Sequence, residues 1–347
     1  MKIGLGFYPR IFTKDTLAFA RQIGVSHIMV HIPSPEMLPS SKSGYWSLED
    51  LTALVKEVER HGLHLEAIEN FQPGHWHHIL TDGPRKREQM ENVKRTIGNM
   101  GKAGIPIMGY NFSLAAVAGR KMMPYARGGA MSPVYDISAD ELFEKPLPNG
   151  FVWGQQVEEL EGDMGEVSIG EMLHRYDYFM REIIPVAEEA GVKMAIHPDD
   201  PPVPVMRQVH RLMVNVDRYD DGLNKYPSSS NMVEFCQGTF AEMPFGKDYV
   251  YDAIDHFLQL EKIAYVHFRN VRGQLPRYYE EFIDTGDVDM IRALKIYKKY
   301  DFQGMIIPDH VPEMNVAEPW TTGAAYTIGY IRALCRVLEI RMEDGKP

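Results

Sequence analysis

Ala195-Ile-His-Pro-Asp-Asp-Pro-Pro202 is a short apolar run that passes straight into His197, two acids and a rigid proline pair. Three later stretches repeat the pattern: Val233-Glu-Phe-Cys-Gln-Gly238, Ala264-Tyr-Val-His-Phe-Arg269 and Met305-Ile-Ile-Pro-Asp-His310. Each is of strand length and ends on a residue able to bind a metal. Parallel strands that end alike bring their last residues to one rim, so these four stretches predict one shared site.

Working outward, further strands are expected at residues 2–7, 27–32, 63–68 and 105–110. Helical patterns separate them at 16–23, with Thr13 as cap, at 47–60, where Ser47 and Asp50 suit a capped start, and at 85–100. A helix over 168–190 would turn Leu173, Phe179, Ile183 and Val186 inward, and further helices are expected at 205–219, 248–260, 288–300 and 321–340. Eight strand and helix pairs favour a closed (β/α)8 barrel, an α/β fold, over an open doubly wound sheet. No Gly-rich turn of the dinucleotide or P-loop kind follows any strand. Residues 113–165, rich in Gly, Pro and Met and without a sustained period, read as an insertion or lid after the fourth strand of a single 1–347 domain. Within it, residues 122–127 suggest a flexible lid or an oligomer contact, and a homo-oligomer is expected.

The 347 residues can bury a full core, and a net charge of −11 without basic blocks argues against nucleic acid as a partner. Two cysteines make no disulfide framework, and no window approaches about 20 uninterrupted apolar residues, so no membrane span is expected. The N-terminus lacks the apolar stretch of a signal peptide, which makes the cytoplasm the expected location.

His197, Cys236, His267 and Asp309 are therefore the expected ligands of a divalent ion. An imidazole, a thiolate, a second imidazole and a carboxylate suit a borderline metal. Zinc fits the ligand types, and manganese or iron(II) fits an oxygen-rich substrate. Asp199 and Asp200 would stand beside the ion as outer partners. His310 is placed for general acid or base work, and Arg269 and Arg272 for forked pairing with a substrate carboxylate. The aromatic and histidine cluster at 71–78 could form a substrate wall, a second ion site or a polar surface loop.

His-Pro-Asp-Asp-Pro-Pro at 197–202, Cys-Gln-Gly at 236–238, His-Phe-Arg at 267–269, Gly-Asp-Val-Asp-Met at 286–290 and Pro-Asp-His at 308–310 resemble the D-mannonate dehydratases, xylose-isomerase-like barrels. The stretch Ile183-Ile-Pro-Val-Ala-Glu-Glu-Ala-Gly191 and the triplet Tyr110-Asn-Phe112 are similar to that family too. The resemblance implies a metal, usually manganese, on His197, Cys236, His267 and Asp309, and Tyr326 as a catalytic residue beside His310 and Asp309. It implies a hydro-lyase that converts D-mannonate to 2-keto-3-deoxy-D-gluconate by removing the proton next to the carboxylate and expelling the neighbouring hydroxyl. Substrate contacts are expected from Tyr8, Glu69, Asn111, Asp199, Arg269 and His75. The chain departs from the family at Ile307 and Val311 around Pro-Asp-His, at residues 68–78 and at residues 113–120. The metal end is kept and the substrate end altered, which makes a metal-dependent isomerase, epimerase or lyase on another sugar the alternative. A non-catalytic sugar-binding barrel is the alternative from outside enzymology.

Overall fold

The structure, a computed structural model, describes residues 1–343. Among these, eight parallel strands close into a barrel in which each pairs with its neighbours in chain order: Lys2–Phe7, His27–His31, His64–Glu69, Ile107–Tyr110, Lys193–Ile196, Asn231–Cys236, Ile263–His267 and Met305–Ile307. The expected (β/α)8 architecture is present. Local chemistry starts the helices where the sequence indicated. The Thr13 hydroxyl accepts the Thr16 N–H at the head of Lys14–Gln22, and the Ser47 hydroxyl accepts the Asp50 N–H ahead of Leu48–Glu59. Ser168 and Glu171 cap Ile169–Ala190 reciprocally, and Gly191, at φ 67°, ends that helix in the left-handed conformation.

Strand periodicity decides what faces the lumen. Side chains alternate along a strand, so on Asn231–Cys236 the set Met232, Glu234 and Cys236 points inward while Val233 and Phe235 pack under the helices. Met29, Ala67, Ile107, Ala195, Met232, Ala264, Tyr265, Met305 and Ile307 fill the barrel as a separate apolar cluster below the rim. Two residues further along the same strands come Glu69, His197, Glu234, His267 and Asp309. A polar layer thus sits on an apolar plug. Register aligns the sixth and seventh strands so that Cys236 pairs with His267, which places two expected ligands side by side.

Some expectations are corrected. Residues 205–219 are not one helix: Val205–Met206 and Val209–His210 form a tight hairpin, and the helix is Val216–Lys225, capped by Asn215. Leu173 is 41% exposed, so it leaves the inward face assigned to it. The stretch 113–165 holds regular structure. Lys121–Ala126 and Ala130–Asp136 join Asn270–Gln274 and Arg277–Glu281, which follow the seventh strand, in a four-stranded antiparallel sheet. Its partners lie some 140 residues apart and lack clean alternation, so neither half announces itself alone. Residues 73–80 are a buried helix, not a polar loop.

Candidate metal centre

At the carboxyl ends of the strands a cavity of about 270 Å³ is lined by Tyr8, His31, Glu69, Asn70, Asn111 and Trp153, and by His197, Asp200, His267, Asp309 and His310. Five of its lining residues hold positive φ without being glycine: Ile32 at 41°, Asn70 at 65°, Ala116 at 52°, Trp153 at 57° and Asp309 at 60°. Such backbone costs about 1–3 kcal/mol per residue and concentrates where a constellation has to be held. A β-branched residue such as Ile32 is the least comfortable of the five. Trp153 sits at the turn of the hairpin Phe151–Val152 and Gln155–Gln156, whose position is held by its indole N–H on the Ser113 carbonyl at 2.7 Å.

The ligand-type atoms of His197, Cys236 and His267 all lie within 4.8 Å of one another. Asp309 joins them through its Oδ2, 3.5 Å from His267 Nδ1. His197 Nδ1 lies 2.6 Å from the Pro198 carbonyl and donates to it, which leaves Nε2 as the free lone pair. The hydroxyl of Thr239 donates to Cys236 Sγ at 3.1 Å. Burial opposes ionisation of that thiol, but the Arg269 guanidinium and the His197 imidazole outweigh it and hold the thiol well below its ordinary range. For Asp309, burial pushes upward while His310, His267 and Arg269 hold the carboxyl down at about 2. His267 Nδ1 is buried and has no hydrogen-bond partner. A thiolate, a carboxylate and two imidazole lone pairs, one of them orphaned, fit a divalent cation.

Around this set lies a buried ionic network that the sequence did not announce. Arg269 donates to Glu242 at 2.8 Å and to Asp200 at 2.9 Å, and its Nε lies 3.0 Å from Asp309 Oδ2. Arg120, from the inserted region, pairs with Asp200 and with Glu280 at 2.8 Å. Tyr278, on the antiparallel sheet, donates to Asp200 at 3.0 Å. Glu242 is pushed up to about 8 by burial, against the pull of Arg269, so it is mostly protonated at neutral pH. Two guanidinium groups then face the carboxylates of Asp200 and Glu280, while His310 faces Asp309. The guanidinium groups and the imidazole thus offset the buried acids, as burial requires.

The expected site residues divide. Tyr8, Glu69, Asn111, His197, His267, Asp309 and His310 line the cavity. Asn111 donates its amide to the His197 and Pro198 carbonyls, and its Oδ1 is buried without a partner. Glu69 accepts from His31, Tyr265 and His267. Cys236 is fully buried beside His197 and His267 and not on the wall, and five further expected residues do not line the cavity. Asp199 is turned away, locked by Arg211 Nε at 3.0 Å and by the Leu212 and Met213 N–H groups, so it anchors the following hairpin. Arg269 lies behind the ligands with its fork already engaged by acids, and is not on the cavity wall. His75 is buried elsewhere, its Nε2 on the Ser41 carbonyl at 2.8 Å. Arg272, on an exposed hairpin, faces Asp287 and the Thr285 carbonyl. Tyr326 also lies outside this cavity: it is 37% exposed, takes a hydrogen bond from Arg127, and lines a separate cleft with Phe282 and Met314.

A second histidine cluster, His77 and His78, faces Glu158 at 3.6 and 3.2 Å. Gln89 accepts the His78 N–H and donates both to the Gly74 carbonyl and to His77 Nδ1, so its amide orientation is fixed. His77 therefore carries its hydrogen on Nε2, toward Glu158. That arrangement tethers the insertion to the buried helix and does not suit a ligand.

Residues absent from the expectation, namely His31, Asn70, Arg120, Trp153, Glu234, Tyr265 and Glu280, complete the cavity and its supports. Glu234 alone had a signal, as an acid in an apolar strand two residues before Cys236. The others depend on contacts between distant segments.

A closed parallel barrel with imidazole, thiolate and carboxylate donors gathered at its carboxyl rim is a barrel of the xylose-isomerase-like class. A xylose isomerase domain protein from Planctomyces limnophilus shares the fold at TM-score 0.61 and 11% identity over 97% of each chain, as does an L-ribulose 3-epimerase at TM-score 0.58 and 14% identity over 100% of each. At those identities the likeness shows the fold alone. The chain itself belongs to the D-mannonate dehydratase family, whose model matches residues 1–343. It is 32% identical over 284 residues to a mannonate dehydratase of Streptococcus suis (strain 05ZYH33), 76% of this chain and 74% of that one. It is 29% identical over 338 residues to that of Geobacillus thermodenitrificans (strain NG80-2), 89% of this chain and 86% of the relative. The crystal structure of mannonate dehydratase from Streptococcus suis serotype 2 superposes at TM-score 0.80 with 27% identity, covering 100% of this chain and 97% of that one.

Proposed function

We propose that this chain is a hydro-lyase that dehydrates D-mannonate to 2-keto-3-deoxy-D-gluconate, with a divalent cation held by His197, Cys236, His267 and Asp309. Manganese is the first choice of ion, with iron(II) and zinc as the alternatives. The observation that carries the reading is the clustering of the His197, Cys236 and His267 donor atoms, with Asp309 3.5 Å from His267, beside one small cavity in a chain that matches the family over residues 1–343. A bound divalent ion supplies Lewis acidity toward the substrate's carboxylate and leaving oxygen.

The chain's own groups handle position and protons. His310 Nδ1 lies 2.8 Å from Glu280 Oε1 and donates to it, which directs Nε2 toward Asp309 and the cavity. Burial would lower the imidazole, but Asp309 and Glu280 raise it to about 9, so it carries a proton to give to the departing hydroxyl. The proton removed from the carbon next to the carboxylate goes to a base, the C–O bond at the neighbouring carbon breaks with loss of water, and the resulting enol becomes the 2-keto acid. Asn111 Oδ1 accepts a substrate hydroxyl, and Tyr8 and Trp153 exclude water at the mouth.

Turnover of D-mannonate with added manganese, against a panel of other sugar acids and sugars, tests the reading. Activity confined to another sugar, or epimerisation in place of dehydration, would reject D-mannonate as substrate. His310→Asn is expected to lower kcat by roughly a hundred- to ten-thousandfold, the usual weight of a general acid. Tyr326→Phe tests the tyrosine that the resemblance implies: unchanged turnover removes it from the chemistry, and a loss comparable to that of His310→Asn keeps it in the proton transfers. Assembly as a homo-oligomer in the cytoplasm is part of the same reading. Its support is the exposed apolar set Met122, Met123, Tyr125 and Met131 on the antiparallel sheet. Among the described residues no helix is long and apolar enough to cross a membrane.

A further inference from the structure

On the sixth strand, two residues before Cys236, the barrel contains an acid that the reaction does not use. Glu234 is fully buried and points into the lumen, and neither of its carboxylate oxygens has a hydrogen-bond partner. Its neighbours are His267 Nε2 at 3.1 Å and His197 Nε2 at 3.9 Å. Glu69 Oε2 stands on the same side of the ring, 3.1 Å from His267 Nε2 and 3.1 Å from the Tyr265 hydroxyl. Space for this cluster comes from Gly109, where a Cβ would fall 2.3 Å from Tyr265 Oη and 2.5 Å from Glu234 Oε2.

Two carboxyl groups packed together without a lysine or arginine against them are costly in the folded chain. The imidazole of His267 links them to the ligand layer. Its Nε2 faces the acids, and its Nδ1 faces Asp309 and has no partner. An acceptor on Nε2 fixes the hydrogen there, orients the ring, leaves the Nδ1 lone pair toward the ligand layer and raises its donor strength.

We propose that Glu234, with Glu69, is a positioning residue for the cation site, acting through the imidazole of His267, whose Nε2 both acids face at 3.1 Å. This rests on the cation reading above. The acids are harmful to the empty fold and useful to the loaded one, and that opposition separates the proposal from a structural role.

The test compares wild type with Glu234→Gln and Glu234→Leu, measuring manganese affinity by competition with a chelator and the melting temperature of the metal-free protein. The expected result is a dissociation constant for manganese raised about 10- to 100-fold in both variants, the usual effect of losing an outer partner. The metal-free melting temperature should be equal to or above that of wild type. Affinity within twofold of wild type overturns the proposal, as does a metal-free form of both variants that melts lower or fails to fold. A wild type that binds no manganese, iron(II) or zinc would instead overturn the cation reading itself. With cobalt(II), the wild type and Glu234→Gln should both show thiolate-to-cobalt absorption at saturation. Its loss in the variant would mean that the ion no longer reaches Cys236 without Glu234, and would overturn a role confined to positioning His267.

Discussion

Cys236→Ala is expected to lower kcat/KM for D-mannonate by about a thousandfold or more and to leave the purified protein with little bound cation. Cys236 is the one soft donor of the set, buried with the two histidines, and Arg269 and His197 hold its thiol well below the ordinary range. Losing it leaves two imidazoles and one carboxylate, and the Lewis acidity at stake is several kcal/mol, with each 1.36 kcal/mol worth a factor of ten. The fold should survive, because one buried sulfur exchanged for a hydrogen costs on the order of 1 kcal/mol. Metal content by elemental analysis and metal-free thermal melting, measured beside turnover, separate loss of the ion from loss of the fold. Normal turnover with normal metal content would remove Cys236 from the ligand set.

Arg269→Met should instead break the fold. The guanidinium is 3% exposed and contacts Asp200, Glu242, Glu280 and Asp309, and it lies so close to the backbone of Gly238 that a Cβ there would fall 2.6 Å from its Cζ. Methionine keeps most of the aliphatic stem but leaves Arg120 as the one guanidinium facing Asp200 and Glu280. Removing one partner from a buried ionic cluster costs about 3–5 kcal/mol, because the orphaned charges remain desolvated. That is a large share of a total stability of about 5–15 kcal/mol. Lysine should rescue little, since a single ammonium cannot reach three directions at once as the planar fork does. Urea denaturation of the metal-free variants measures the cost. A loss below 1 kcal/mol would mean that the network contributes nothing net to folding.

Most of what surrounds Arg269 is invisible from its own stretch of chain. Arg269 was read as a free fork for the substrate carboxylate because only its position after His267 was visible. Its four acidic partners come from the fifth strand's loop, the helix after the sixth strand, the antiparallel sheet and the end of the eighth strand. Asp199 and Asp200 were read alike, yet adjacent residues on a rigid turn point in different directions. One locks to Arg211 and the other becomes the centre of the ionic network. Residues 71–78 stay open between a substrate wall, a second ion site and a polar surface loop in the sequence, because their helix is buried almost all round and carries no solvent-facing stripe to reveal its period.

The barrel, its strand ends and the gathering of His197, Cys236, His267 and Asp309 at one rim were legible because they are local properties. An apolar run with period two fixes which side chains face inward, and parallel strands ending alike place their last residues on one rim. Tyr326 shows the limit of that logic, since helical spacing places it on the last helix but cannot say which cavity the helix face reaches. The tertiary structure alone decided the antiparallel sheet that joins residues 121–136 to 270–281, the two guanidinium groups that neutralise Asp200 and Glu280, and the acids beneath His267. Each of these depends on the distance between segments far apart in the chain, and electrostatic energy inside a protein follows that distance and the loss of water around it, neither of which is written in the order of residues.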